Sequence, residues 1–236
     1  MRVQSVVINK PKKDSPIGVF DSGLGGLTVL RSLKKILPNE SYIYFGDTAH
    51  VPYGAKSNNT IRGYSERICN FLIDKRVKLL LLACNTASSV ALGYLESLFN
   101  TPIMGVVLPA TIQAINLTKT GCVGVIGTRT TIASNAYKNA TYEIDPSIQI
   151  SNKACPLFVP LVEEGWANTD VAENIARIYL NEFVTQDMDT LILGCTHYPI
   201  LHDTIKKVVP DRLKLVGSGD SIAKRALSFL KKRDLL

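Results

Sequence analysis

The strongest constraint on this chain is a series of short, almost wholly apolar runs separated by helix-length segments. Ile17-Gly18-Val19-Phe20, residues 41–45, Leu79-Leu80-Leu81-Leu82, residues 103–107, residues 123–126, Leu191-Ile192-Leu193 and residues 213–216 contain a single charge among them, Lys214. A strand apolar at every position is covered on both faces, the condition of a parallel sheet flanked by helices. The intervening segments 27–36, 60–74, 87–98, 134–140, 171–183 and 222–232 have helical length. The pattern therefore predicts an α/β fold with mainly parallel sheets.

A weak internal repeat extends this reading. The segment around Cys84, VKLLLLACNTASS, echoes DTLILGCTHYPI around Cys195, at an offset of 111 residues. Ile17–Gly23 likewise echoes 123–129, offset by 106. Two pseudosymmetric α/β domains are the simplest explanation, with a site in the cleft between them. The expected boundaries are a basic leader at 1–14, a first domain at 15–108 plus 211–236, and a second at 109–210. In this division the last strand and helix fold back on the first half.

Composition narrows the alternatives. With 236 residues, 46% of them hydrophobic, the chain can build a real core, which excludes disorder. Five cysteines, odd in number and unpatterned, exclude a disulfide scaffold. The longest uncharged stretch, 97–118, is broken by Asn100, Pro102, Pro109, Gln113 and Asn116, so it makes a poor membrane helix. The start has only a Val6-Val7-Ile8 apolar patch, too short for a signal peptide. A cytoplasmic protein with no membrane association is expected. The net charge of +7 sits in the two ends, with four basic groups and no acid in 1–13 and nine against four in 203–236. No basic stripe interleaved with aromatics crosses the body, so no nucleic-acid partner is expected.

Chemistry is concentrated at two strand ends. Leu82-Ala83-Cys84-Asn85-Thr86 and Leu193-Gly194-Cys195-Thr196-His197 each place a thiol at the carboxyl edge of a sheet, where open α/β folds bind ligands. The helix opening after Cys84 should favour its thiolate and bring the pKa below about 8.5. Asp21-Ser22-Gly23-Leu24-Gly25-Gly26 adds an acid and a hydroxyl on a tight loop. It lacks the spacing of a dinucleotide or P-loop signature. Cys69, Cys122 and Cys155 lie outside such settings and read as packing residues, and His50 as a local hydrogen-bonding group. Cys195 and His197 are the only close pair of zinc-ligand types, so no metal is expected. Two thiols on opposed halves suit removal of a proton from an amino-acid α-carbon and its return on the other face. Asp21 and His197 are suitable proton partners, and the helix N-termini with Asn and Thr side chains could hold carboxylates.

Six ordered motifs carry a family resemblance. They are Asp21–Val29, Asp47–Gly54, Ala83–Ala87, Gly127–Thr131, Cys155–Glu163 and Gly194–Pro199. Together they resemble the glutamate racemases, from Ile17 to about Ser221. The resemblance implies that Cys84 is the base for D-glutamate, assisted by Asp21. It implies that Cys195 is the base for L-glutamate, assisted by Glu163 and His197. Ser22, Pro52, Tyr53, Gly54, Asn85, Thr86, Thr131 and Thr196 match substrate-contacting positions, as do Asp21 and His197. It further implies no pyridoxal phosphate, metal or other cofactor, a role in supplying D-glutamate for peptidoglycan, and a homodimer. The basic leader is extra, and the chain ends early for the family. A sibling racemase acting on aspartate or another small amino acid, and a non-catalytic binding or regulatory protein on the same scaffold, are the competing readings. Substrate comparison and salt-resistant DNA binding separate them.

Overall fold

The structure, a computed structural model, describes residues 12–185 and 187–236. Most of the basic leader, including Val6-Val7-Ile8, lies outside these residues. The strands are β1 (Ile17–Asp21), β2 (Tyr42–Gly46), β3 (Leu79–Leu82), β4 (Ile103–Gly105), β5 (Cys122–Gly127), β6 (Gln149–Ala154), β7 (Thr190–Gly194) and β8 (Lys214–Val216). They form two four-stranded parallel sheets, ordered β2-β1-β3-β4 and β6-β5-β7-β8. The second order repeats the first strand for strand. The helices are α1 (Leu27–Ile36), α2 (Asn58–Asp74), α3 (Asn85–Leu98), α4 (Val107–Leu117), α5 (Arg129–Ala133), α6 (Ala136–Ile144), α7 (Phe158–Glu163), α8 (Asp170–Thr185), α9 (His202–Val208) and α10 (Ser218–Lys232).

The apolar runs are explained by burial on both faces. In β3, Leu79 and Leu81 pack with Val29 and Leu33 of α1 and with Ile222, Ala226 and Leu230 of α10. Leu80 and Leu82 point the other way, into Ile61, Ile68 and Leu72 of α2 and Ala91 and Leu95 of α3. In β7, Ile192 joins Val107, Ala110 and Ala114 of α4, while Leu191 and Leu193 join Phe158, Leu180 and Ile205 on the opposite face.

The last strand departs from the expected division. Instead of returning to the first half, β8 pairs with β7, Thr190 opposite Lys214 and Ile192 opposite Val216. The short α9 crossover packs on the second sheet and delivers the chain to its edge, the ordinary outcome of a βαβ unit. Helix α10 alone leaves this sheet and lies against α1 and α4. The chain end is tied down by Lys78, fully buried, whose Nζ donates to the carbonyls of Lys13 and Leu235 at 2.6 Å and meets Glu40 Oε2 at 2.7 Å.

Helices α4, α5, α7 and α9 and strand β6 lay outside the sequence reading. Residues 103–107 read as one strand, but β4 stops at Gly105 and α4 starts at Val107 with Pro109 in its first turn, where no N–H partner is required. Strand β6, Gln-Ile-Ser-Asn-Lys-Ala, is a half-exposed edge strand with no continuous apolar run to mark it.

Candidate active site

The carboxyl ends of β1, β3 and β7 supply the reactive groups. Cys84 is the N-cap of α3, in extended conformation, and its sulfur accepts the Ala87 N–H at 3.5 Å. The thiol lies 3.5 Å from Ser22 Oγ, on the loop after β1. Asp21, the last residue of β1, accepts the N–H groups of Gly23 and Gly26 on Oδ2, both at 3.0 Å. Cys195 follows β7 directly, and its Sγ is 3.8 Å from His197 Nδ1. His197 Nε2 is 2.5 Å from Oε1 of Glu163, the last residue of α7.

These two sets meet across the cleft. Thr196 Oγ1 donates to Asp21 Oδ1 at 3.2 Å, and Thr28 Oγ1 donates to the Thr196 carbonyl at 3.2 Å. The hydroxyls of Thr86, Thr128 and Thr131 form a triangle with sides of 3.0, 3.1 and 3.0 Å, one vertex from the first half and two from the second. Gly25 and Gly54 permit this approach. A methyl group on Gly25 would lie 2.6 Å from Thr196 Oγ1 and 2.7 Å from His197 Nδ1, and one on Gly54 would lie 2.4 Å from Thr128 Cβ. The cleft is shut: Asp21, Ser22, Cys84, Asn85, Thr86, Thr131, Cys195, Thr196 and His197 are all buried.

The remaining expected residues are placed less uniformly. Tyr53 is buried beside Cys84 and Phe20, with its hydroxyl donating to Asp47 Oδ2 at 2.5 Å. Gly54 is half-buried and its carbonyl accepts from Thr130 Oγ1 at 3.0 Å. Pro52 is exposed. His50 makes the local contact expected of it, Nδ1 to Asp47 Oδ1 at 2.7 Å. Cys69 and Cys155 are buried, and Cys122 is half-buried at the start of β5. Two open surface grooves, one along Lys138–Ile150 and one beside Lys13 and Leu227, contain none of the site residues.

The electrostatics reverse one expectation. Burial pushes the Cys84 thiol up to about 11, and the neighbouring Asp21 charge adds to the rise. The Ser22 hydroxyl and the N–H groups of Ala87 and Thr86 pull it back without overcoming desolvation. The α3 N-terminus thus acts in the expected direction, but against full burial it is the smaller effect. Cys195 is raised for the same first reason, with further contributions from the charges of Cys84 and Asp21. Asp21 is raised above its ordinary value by burial, against the N–H groups of Gly26 and Gly23, the His197 charge and the Thr196 hydroxyl.

Three contributors were missed from sequence. Thr128 caps α5, accepting the Thr131 N–H at 3.3 Å, and the Thr-x-x-Thr spacing could have marked it. Tyr137 and Ser218 both reach Asn85 Nδ2, at 2.7 and 2.9 Å. For Ser218 the only signal was the glycine pair around it; for Tyr137 there was none.

The chain matches the Asp/Glu/hydantoin racemase family over residues 17–226. It is 48% identical over 220 residues to a glutamate racemase of Geobacter metallireducens, covering 93% of this chain and 82% of that one. A solved glutamate racemase isoform of Bacillus anthracis superposes with a TM-score of 0.92 at 38% identity, covering 95% and 84% of the two chains. One from Francisella tularensis, solved in complex with D-glutamate, gives 0.89 at 40% identity with the same coverage.

Proposed function

The chain belongs to the Asp/Glu/hydantoin racemase family and is an isomerase acting on amino acids, and on that premise we propose that it interconverts L- and D-glutamate through Cys84 and Cys195. One observation carries the two-thiol part of this reading. Cys84 and Cys195 follow pseudo-equivalent strands, are both buried, and lie close enough that a charge on Cys84 raises Cys195.

In one direction the Cys84 thiolate takes the α-proton of D-glutamate, and the Cys195 thiol gives its own proton to the opposite face. One S–H bond forms and one breaks, and the negative charge passes from Cys84 to Cys195. The reverse reaction starts from the Cys195 thiolate. Asp21 accepts the Cys84 proton that must leave before turnover, and its raised pKa suits it to hold one. His197 and Glu163 perform the same service for Cys195. Burial opposes both thiolates, and the substrate ammonium supplies the counter-charge as it binds. Ser22, Asn85, Thr86, Thr131, Thr196 and the Pro52-Tyr53-Gly54 turn form the remaining substrate surface. The two sulfurs provide both proton transfers, so the reaction calls for no cofactor.

The reaction serves peptidoglycan synthesis by supplying D-glutamate in the cytoplasm, and the protein acts as a homodimer. Among the described residues no helix is long and apolar enough to cross a membrane. Incubation of the purified chain with L-glutamate in heavy water, without added cofactor, is expected to yield D-glutamate deuterated at the α-carbon. Absence of both isomer and label overturns the assignment. A higher kcat/KM on aspartate replaces glutamate as the substrate, and sedimentation at the monomer mass overturns the dimer.

A further inference from the structure

Tyr137 stands between the two thiol-bearing loops. Its ring packs so closely on Gly194, the residue before Cys195, that a methyl group there would lie 3.2 Å from its Cε2. Its hydroxyl reaches the other loop and accepts from Nδ2 of Asn85, the residue after Cys84, at 2.7 Å. The same amide nitrogen donates to Ser218 Oγ, at the first turn of α10, at 2.9 Å. All three side chains are at least 98% buried. With both amide hydrogens engaged, Asn85 Oδ1 is left buried with no hydrogen-bond partner. An unpaired buried acceptor is costly, since it gives up its bond to water for nothing. Such an atom in a closed ligand cleft is matched to a donor that arrives with the ligand. On an α-amino acid the group that only donates is the ammonium.

We propose that Tyr137 and Ser218 are positioning residues that hold the Asn85 amide with its nitrogen turned away and its oxygen free for the substrate ammonium. The two ends of a carboxamide have nearly the same shape, and here Nδ2 is the end held by both hydroxyls, which leaves Oδ1 to the ligand. A reversed amide would set N–H groups against an ammonium. Because its ring also supports Gly194, Tyr137 ties the setting of this acceptor to the loop carrying Cys195. The proposal rests on the amino-acid racemisation reading.

The test is steady-state kinetics with both glutamate enantiomers on Tyr137→Phe and Ser218→Ala, each alone and combined with Asn85→Ala. Each single variant is expected to raise KM about tenfold with a smaller change in kcat and a melting temperature near that of the parent. In the Asn85→Ala background neither substitution is expected to add a further loss, because the group it orients is gone. An unchanged KM in both single variants overturns the proposal. So does a loss of equal size with and without Asn85, which marks a general structural role. Ser218→Ala carries the same test should Tyr137→Phe fold poorly. A parent chain inactive on glutamate overturns the functional reading as well, and is recognised before any variant is made.

Discussion

The two halves repeat one another strand for strand, yet they serve their thiols differently. In the first half, Phe20 of β1 pairs with Leu82 of β3, and Asp21 follows at the strand end. In the second, Ile126 of β5 pairs with Leu193 of β7, and the position matching Asp21 is Gly127. A carboxylate there is absent, and the acid on this side is Glu163 at the end of α7, hydrogen-bonded to His197. Asp21 is fully buried, whereas the Glu163 side chain is 37% exposed. The repeated βαβ scaffold thus places both sulfurs equivalently. The carboxylate beside each comes from a different element, β1 in the first half and α7 in the second.

The largest effects test the equivalence of the sulfurs. Cys84→Ser and Cys195→Ser are each expected to lower kcat/KM by at least about a thousandfold while the circular dichroism spectrum is unchanged. If one variant stays within tenfold of the parent, the two positions are not equivalent bases. Next come the arms. Asp21→Asn and Glu163→Gln should each reduce kcat/KM by about a hundredfold, the lower range for a lost proton partner. Since the equilibrium constant between enantiomers is one, the loss must be equal in both directions. A polarimetric assay started from each enantiomer checks this.

Closure of the two halves is tested at Gly25, where an added methyl group meets the second half's Thr196 and His197. Gly25→Ala is expected to raise KM about tenfold, with little change in melting temperature, because it obstructs the closed cleft and not either core. An unchanged KM shows that catalysis does not need this approach.

A smaller effect separates function from stability at Asp21. Burial raises its pKa above 3.8, so over the interval between that value and the raised one the folded chain holds a proton the unfolded chain has lost. Stability therefore falls as pH rises through that interval, and the cost persists above it. Asp21→Asn should be more stable than the parent at neutral pH, and the gap should close in acid. Urea unfolding at several pH values measures it, and a gap of the opposite sign contradicts the desolvated carboxylate. The smallest change is Gly63→Ala in α2, where an added methyl group meets nothing within 4 Å. It should stabilise the first half by about 0.4–1 kcal/mol without altering kcat or KM.

The central strands that sequence revealed share one property, burial on both faces. Leu79–Leu82 and Leu191-Ile192-Leu193 are legible because nothing polar is tolerated on either side of them. Strand β6 escaped because an edge strand keeps polar residues, and β8 was assigned to the wrong sheet because its sequence says nothing about its partner. Helix α4 hid within a continuous apolar stretch whose proline sits where a helix accepts one. Lys78 gave no sign that it is buried, since its partners are two backbone carbonyls and Glu40. Tyr137 was illegible, and Thr128 and Ser218 only faintly marked, for the same reason: each meets a residue more than forty positions away.

The amino-acid order alone determined that this chain forms parallel, helix-covered sheets and that two thiols stand at matching strand ends. Both follow from short-range periodicity and from the turn residues that stop a strand. Only docking of the halves decided that Thr196 meets Asp21, that Tyr137 spans the two loops, and that both thiols are raised, Cys84 against the helix N-terminus that by itself would lower it. Desolvation and contacts across a cleft are properties of the assembled interior, and no local stretch of sequence carries them.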